Sequence, residues 1–454
     1  MRPTSTILSP YSLLNIKLFI AFRVFFNTRL YYPVFTILFL DYGLTIEQFA
    51  LLNTVWAMTI VCAEVPSGAM ADIIGRKKLL LLTSMFMILE LGLIAFVPLG
   101  NSTLIFSVFL ANRVLSGLAE AMASGADEAI AYDTLVEKGI EKMWPRVLSL
   151  QMRVRSVCTI VAVTLGSIIY DSTAVNKILA FCGSETVLGQ QTTMRFPVIV
   201  TFLFGFCAFT AVSMLKEPGE DNKDVHITTA RAFKQTWSAA KWIINTPFAL
   251  AIIIIAMCYD HTIRMIVTMT SEYYRIVGLP DASFGAIGAG MAVIGLFTPK
   301  IAERMASCNS ARKNIIITGI MGFFGLLGLC FFNIPGGICA MILIFITFTF
   351  LSFFTSHYLN SVTASDIRAT VLSFKGLAFN LSYGIIGVVF ASVLSLLRSN
   401  IAGVSPDLSQ DIVEKMAFKE AISFFPWYLF VLLIILTLIF RKDLSNEPTT
   451  CIRK

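Results

Sequence analysis

Charge is scarce in this chain. Only 14% of its 454 residues are Asp, Glu, Lys or Arg, against about 25% in soluble domains. With 56% hydrophobic residues and a mean hydropathy of +0.78, the apolar surplus needs lipid as its solvent. Histidine is rarer still, at three, and no Cys/His spacing suits a metal. Of nine cysteines, Cys62, Cys158, Cys207, Cys258, Cys330 and Cys339 sit inside apolar runs. Cys182 has no evident partner, so no disulfide framework is implied. A nucleotide loop and a Ser-His-Asp set are also missing, which excludes the common enzyme classes. The alternating polarity of a membrane β-barrel does not occur. Nor does a cleavable leader with a short apolar core, so the first apolar stretch is expected to stay as a helix. The net charge of +7 is no nucleic-acid signal, because the cations fall mostly between apolar runs.

What the chain has is long apolar runs. About twelve are the length of a membrane helix: 16–40, 48–71, 77–99, 103–126, 147–170, 195–215, 247–270, 283–302, 314–332, 338–358, 370–397 and 421–440. The segments between them alternate in Lys and Arg content. Arg76, Lys77, Lys78, Lys138, Lys142, Arg146, Lys223, Arg231, Lys234, Lys241, Lys300, Arg304, Arg312, Lys313 and Arg368 fall on one side, with Arg441, Lys442, Arg453 and Lys454 in the tail. The opposite side has Lys177, Arg195, Arg275, Arg398, Lys415 and Lys419. The bias exceeds about three to one and predicts cytoplasmic termini. The longest hydrophilic stretch divides the chain into a six-helix bundle over 1–215, a linker over 216–246, and a second bundle with a short tail over 247–454. Within the linker, Phe233, Trp237, Ala240 and Ile244 recur at helical spacing, which predicts an amphipathic helix on the membrane surface. The glycines of spans eight and nine predict close helix contacts.

Residues 68–78 hold a distinctive pattern, Gly68-x3-Asp72-x2-Gly75-Arg76-Lys77-Lys78, between spans two and three. Gly68 permits close helix crossing, Gly75 a tight turn, and Asp72 a counter-charge to the cations. The pattern resembles the loop between the second and third helices of the major facilitator superfamily. Arg113-x3-Gly117 in span four resembles a second, less specific signature. The resemblance implies an all-α fold of twelve transmembrane helices in two six-helix halves, built as a parallel repeat. Pro299, Glu303 and Arg304 are a weak second-half echo of the loop. It also implies that the loop latches the halves on the cytoplasmic side: Asp72 near Thr370 at the start of span eleven, and Arg76 on Asp127 or Asp133. One element departs from the family's drug–proton antiporters. Span five keeps Gly166 but lacks their Gly-Pro-x2-Gly-Gly run, which weakens a drug-pump reading.

Charges inside apolar spans are functional candidates. The resemblance places spans 1, 4, 7 and 10 around a central cavity. Arg23, Asn27, Arg113 and Arg264, with Arg153 and Arg155, are then the candidate substrate ligands. Glu120, Asp260, His261 and Glu64 are the candidate proton carriers. Cations outnumber acids, and such a cavity attracts anions; guanidinium suits carboxylate or phosphate. Other roles stand beside these. Asp260 and Arg264 are i,i+4 and can neutralise each other. Arg29 can snorkel. Arg153 and Arg155, within about 12 Å of the start of span five, fit a boundary position. Glu90, on span three, has no assigned role.

The expected protein is a monomeric secondary transporter in a bacterial inner membrane, with lipid, protons and a small solute as partners and no nucleic acid, cofactor or metal. The favoured solute is an organic anion, a polycarboxylate or siderophore-like compound, carried by rocker-switch alternating access with proton coupling. Efflux of amphipathic drugs by proton antiport is the alternative, and a non-transporting membrane sensor a remote one.

Overall fold

Pro33 has no N–H to give the carbonyl of Arg29, and its ring crowds the preceding turn. The predicted first span is therefore interrupted in the computed structural model, which describes residues 9–123, 126–217, 237–238, 240–363 and 368–444. Helix α1 (Leu14–Asn27) ends at an extended Thr28, and α2 (Phe35–Asp41) follows a 3-10 turn at Tyr32–Val34. The fold is all-α. After these come α3 (Ile46–Ile74), α4 (Arg76–Phe96), α5 (Ser102–Ala123), α6 (Ala126–Glu137), α7 (Trp144–Tyr170), α8 (Ser172–Phe181), α9 (Gln190–Thr193) and α10 (Phe196–Met214). The second half has α11 (Pro247–Thr268), α12 (Thr270–Ile276), α13 (Ser283–Cys308), α14 (Ala311–Leu329), α15 (Ile334–Val362), α16 (Arg368–Val404) and α17 (Gln410–Ile439). Among the described residues, eleven helical segments are long and apolar enough to cross a membrane. The interrupted α1–α2 segment supplies the twelfth. The last helix starts at Gln410 rather than near 421, because its polar first turns continue the same helix.

Two compact units emerge, Met1–Pro33 with Thr59–Ala232, and Val34–Met58 with Phe233–Lys454. In the first unit, α4 packs on α5 and α10, and α1 packs on α10 and α7. An apolar cluster of Ile16, Phe19, Ala131, Leu135 and Val147 joins the start of α1 to α6 and α7. Asn15 clips this end shut: its side chain donates to the Lys216 carbonyl (2.8 Å) and accepts from the Lys216 N–H (3.0 Å). Just past the end of α1, where the chain crosses α7, a methyl group on Gly166 would overlap the Leu30 carbonyl oxygen. Lipid offers no hydrophobic drive between helices, so close approach at small residues holds such bundles together.

In the second unit, α14 packs on α15 and α17, and α11 packs on α15 and α16. The glycine face of α14 meets Tyr259, Ile344, Ala340 and Leu433. Segment 34–58 is fastened to the same unit. Thr54 Oγ1 donates to the Gly384 carbonyl (3.1 Å), and Arg398 pairs with Glu47 (3.1 Å). Of the linker stripe, Phe233 lies outside the described residues. Residues 240–244 are helical, with Trp237 and Ile244 exposed and Ile243 turned inward.

Candidate functional site

The 68–78 pattern ends in the turn between α3 and α4. Gly75 has φ +92°, a backbone conformation that only glycine adopts freely. Arg76 then opens α4, and its N–H donates to Glu217 Oε1 at 2.7 Å. Glu217 thus supplies the anion that a helix N-terminus favours. The Arg76 guanidinium pairs with Asp133 on α6. Asp127, the other carboxylate considered for Arg76, belongs to Arg23. The Arg23 guanidinium holds Asp127 on one edge and Glu128, at 2.6 Å, on the other. Lys77 is half-buried. Gly68 and Asp72 lie on α3, but their surroundings, like residues 364–367 ahead of span eleven, are outside the described part of the chain.

Further into the same unit runs a buried polar chain. Arg29 donates to Glu90 at 2.6 Å, the Asn112 amide donates to the Glu90 carbonyl oxygen at 3.0 Å, and Arg113 donates twice to Asn112 Oδ1 at 2.7 and 2.8 Å. Arg29 and Glu90 are both buried. Arg29 is thus an interior ion-pair partner and does not snorkel, and Glu90 gains the role that the sequence left open. Arg113 is also buried and turned toward this chain. Glu120, two turns further along α5, is exposed. The charges that face it are Arg29, Arg155, Glu90 and Arg23. Asn27 donates to the Arg23 carbonyl of its own helix (2.8 Å). Arg153 and Arg155 are exposed on α7, and Arg153 reaches the Ser149 carbonyl. Glu64 is half-buried on α3.

The second unit holds a cavity of about 250 Å³ between α11, α15 and α16. Asp260, Arg264, Ser352, Thr355, Lys375 and Asn380 give it polar walls; Phe348, Leu351 and Phe379 give apolar ones. Arg264 Nη2 pairs with Asp260 at 2.6 Å and Nη1 donates to Asn380 Oδ1 at 3.0 Å. Its guanidinium also lies 5.4 Å from the Tyr383 ring centroid. Lys375 and Asn380 were missed by the sequence reading. The available signal was a lysine inside an apolar run, the same signature that flagged Arg264. His261 sits beside this cavity without lining it. Its Nδ1 is 2.9 Å from the Met257 carbonyl oxygen, which can only accept, so that nitrogen carries a proton. Its Nε2 is 2.8 Å from the Tyr428 hydroxyl.

A third cluster stands at the α2 and α12 ends of the unit. Arg275 grips Asp41 with two contacts of 2.6 and 3.1 Å, and Asp281 with two of 2.7 and 3.4 Å. Glu272, next to it, is buried, and burial pushes its carboxyl up to about 7 against the pull of Arg275. No group of His, Cys, Asp and Glu among the described residues could hold a metal ion.

A family profile described as Major Facilitator Superfamily matches residues 18–391. Three solved structures are similar throughout. A bacterial homologue of the human lysosomal transporter Spinster, inward-facing and unoccupied, has TM-score 0.70 and 14% identity, over 97% of this chain and 98% of that one. The nucleoside transporter NupG has TM-score 0.67 and 12% identity, over 96% and 100%. A D-xylose–proton symporter has TM-score 0.58 and 13% identity, over 92% and 96%. At such identities the likeness carries the fold. A search of curated proteins returned no match.

Proposed function

The chain belongs to the major facilitator superfamily, and from that premise we propose that it carries an organic anion across a membrane by alternating access, coupled to protons. The observation that carries this reading is the charge balance of the second-unit cavity, where Arg264 and Lys375 stand against the single carboxylate of Asp260. In a water-filled, low-dielectric recess that excess draws anions. Asp260 and Glu120 are the proton carriers in this reading. Each is a carboxylate set among cations, Asp260 on the cavity wall and Glu120 exposed on α5. Loss or gain of one proton at either changes the local charge that a substrate meets.

Arg23 is already held by Asp127 and Glu128, and Arg113 by Asn112, which moves the weight of substrate contact to the second unit. The loop of Gly68, Asp72, Gly75, Arg76 and Lys77, with Asp133 and Glu217, is the conformational latch. By the distribution of Lys and Arg it lies on the cytoplasmic side, with both termini.

Phe348, Leu351 and Phe379 on the same cavity favour a second reading, efflux of amphipathic compounds. Purified protein in liposomes separates the two. Anion accumulation driven by a pH gradient, and lost in Arg264→Ala, supports the first. Drug flux indifferent to Arg264→Ala and Lys375→Ala would overturn it.

A further inference from the structure

Lys375 and Arg264 face one cavity, but their charges are not equally free. Arg264 is already engaged: one nitrogen is on Asp260 at 2.6 Å, another on Asn380 at 3.0 Å, and its flat face is near Tyr383. Lys375 makes no hydrogen bond or ion pair among the described residues; its ammonium lies 5.8 Å from the Phe379 ring centroid. The charges that face it are Asp260 and Arg264. Asp260 is the more deeply buried of that pair, with 5% of its side chain exposed against 24% for Arg264, so the carboxylate is withdrawn behind its guanidinium. The cavity wall therefore presents one uncompensated positive charge, and it is on Lys375.

From this geometry we infer that Lys375 is the anion ligand of the site, and that the site takes a monoanion on a flat apolar body, such as an aromatic carboxylate. The inference rests on the transport reading above and narrows it. Lys375 is half-buried with no carboxylate bonded to it, and a substrate carboxylate gives its ammonium a charge-assisted hydrogen bond. The Asn380 amide, its oxygen engaged by Arg264, has its N–H groups left to donate to the same ligand. Phe348 and Phe379 provide ring faces for a planar body. One net charge matches one carboxylate. A citrate-like trianion would bring two charges that this wall leaves unanswered.

The test is equilibrium binding of radiolabelled benzoate to the purified full chain in detergent, with cyclohexanecarboxylate and citrate as competitors. Lys375→Gln should weaken benzoate binding at least about tenfold, the scale of one charge-assisted contact. Lys375→Arg keeps the charge and should stay close to wild type, which separates loss of a ligand from loss of fold. Cyclohexanecarboxylate should compete less well than unlabelled benzoate, and citrate least. Equal affinity in wild type and Lys375→Gln, stronger competition by citrate, or no benzoate binding by folded wild type would each overturn the assignment. Binding is read without flux, so the two readings fail separately. Benzoate bound through Lys375 but never carried would sink transport and spare the site. Anion flux indifferent to Lys375→Gln would do the reverse.

Discussion

Arg29 and Glu90 meet at 2.6 Å in the interior of the first unit, and neither side chain has more than 5% of its surface exposed. Two full charges in such a place hold each other there. Removing either one strands the other, at about 3–5 kcal/mol. Glu90→Ala should therefore lower the melting temperature of detergent-purified protein sharply. The Arg29→Met/Glu90→Met double variant should recover much of the loss, because it leaves no charge unpaired. A double variant as unstable as the single one would mean that the pair has a role beyond neutralisation.

The Arg76–Asp133 pair is different, since both side chains are more than a third exposed. Exposed pairs contribute only about 0–1 kcal/mol. Asp133→Asn and Glu217→Gln should leave melting nearly unchanged. Their effect should fall on turnover, with slower exchange in liposomes and unchanged substrate affinity. Asp72→Asn should behave likewise. Wild-type exchange rates in all three would remove the latch.

Glu272 makes the second unit sensitive to pH. Its carboxyl is raised from 4.5 to about 7 by burial, so the folded chain holds that proton more tightly than the unfolded chain does. The stabilisation is full below pH 4.5 and is lost as pH rises through 7. Glu272→Gln should flatten this part of the stability–pH curve, as followed by thermal unfolding from acid to mildly alkaline buffer. A wild-type curve that rises through the same interval would contradict the sign.

Proton coupling makes its own demand. Asp260→Asn and Glu120→Gln should stop uphill accumulation under a pH gradient while leaving exchange of solute for solute. Counterflow and gradient-driven uptake, measured side by side, separate the steps. If both variants still concentrate substrate, the protons enter elsewhere.

The sequence made the membrane class, the helix count and the turn at Gly75 legible, because length, hydropathy and the need for positive φ are local properties. It offered two carboxylates for Arg76. The choice of Asp133 depended on how α6 approaches, and on Arg23 already occupying Asp127. Glu217 caps a helix 141 residues earlier in the chain, and nothing in its own neighbourhood announces that. Arg29 and Glu90 were visible as intramembrane charges, but their partnership crosses 61 residues. Lys375 could have been found as Arg264 was, yet only the cavity separates a lysine without a partner from an arginine with two.

Gly166 is the residue that faces the gap in the first span. Leu30, whose carbonyl fills the space where a side chain would go, belongs to the interruption between α1 and α2, and its N–H is tied to Thr201 Oγ1 at 3.2 Å. The interruption and the glycine are thus one feature written in two distant places, and neither can be altered alone. A library randomised at codon 166 should return glycine only. Suppressors of a Gly166→Ala defect should map to residues 28–33 and to Thr201, where the carbonyl could be withdrawn, and not elsewhere along α7.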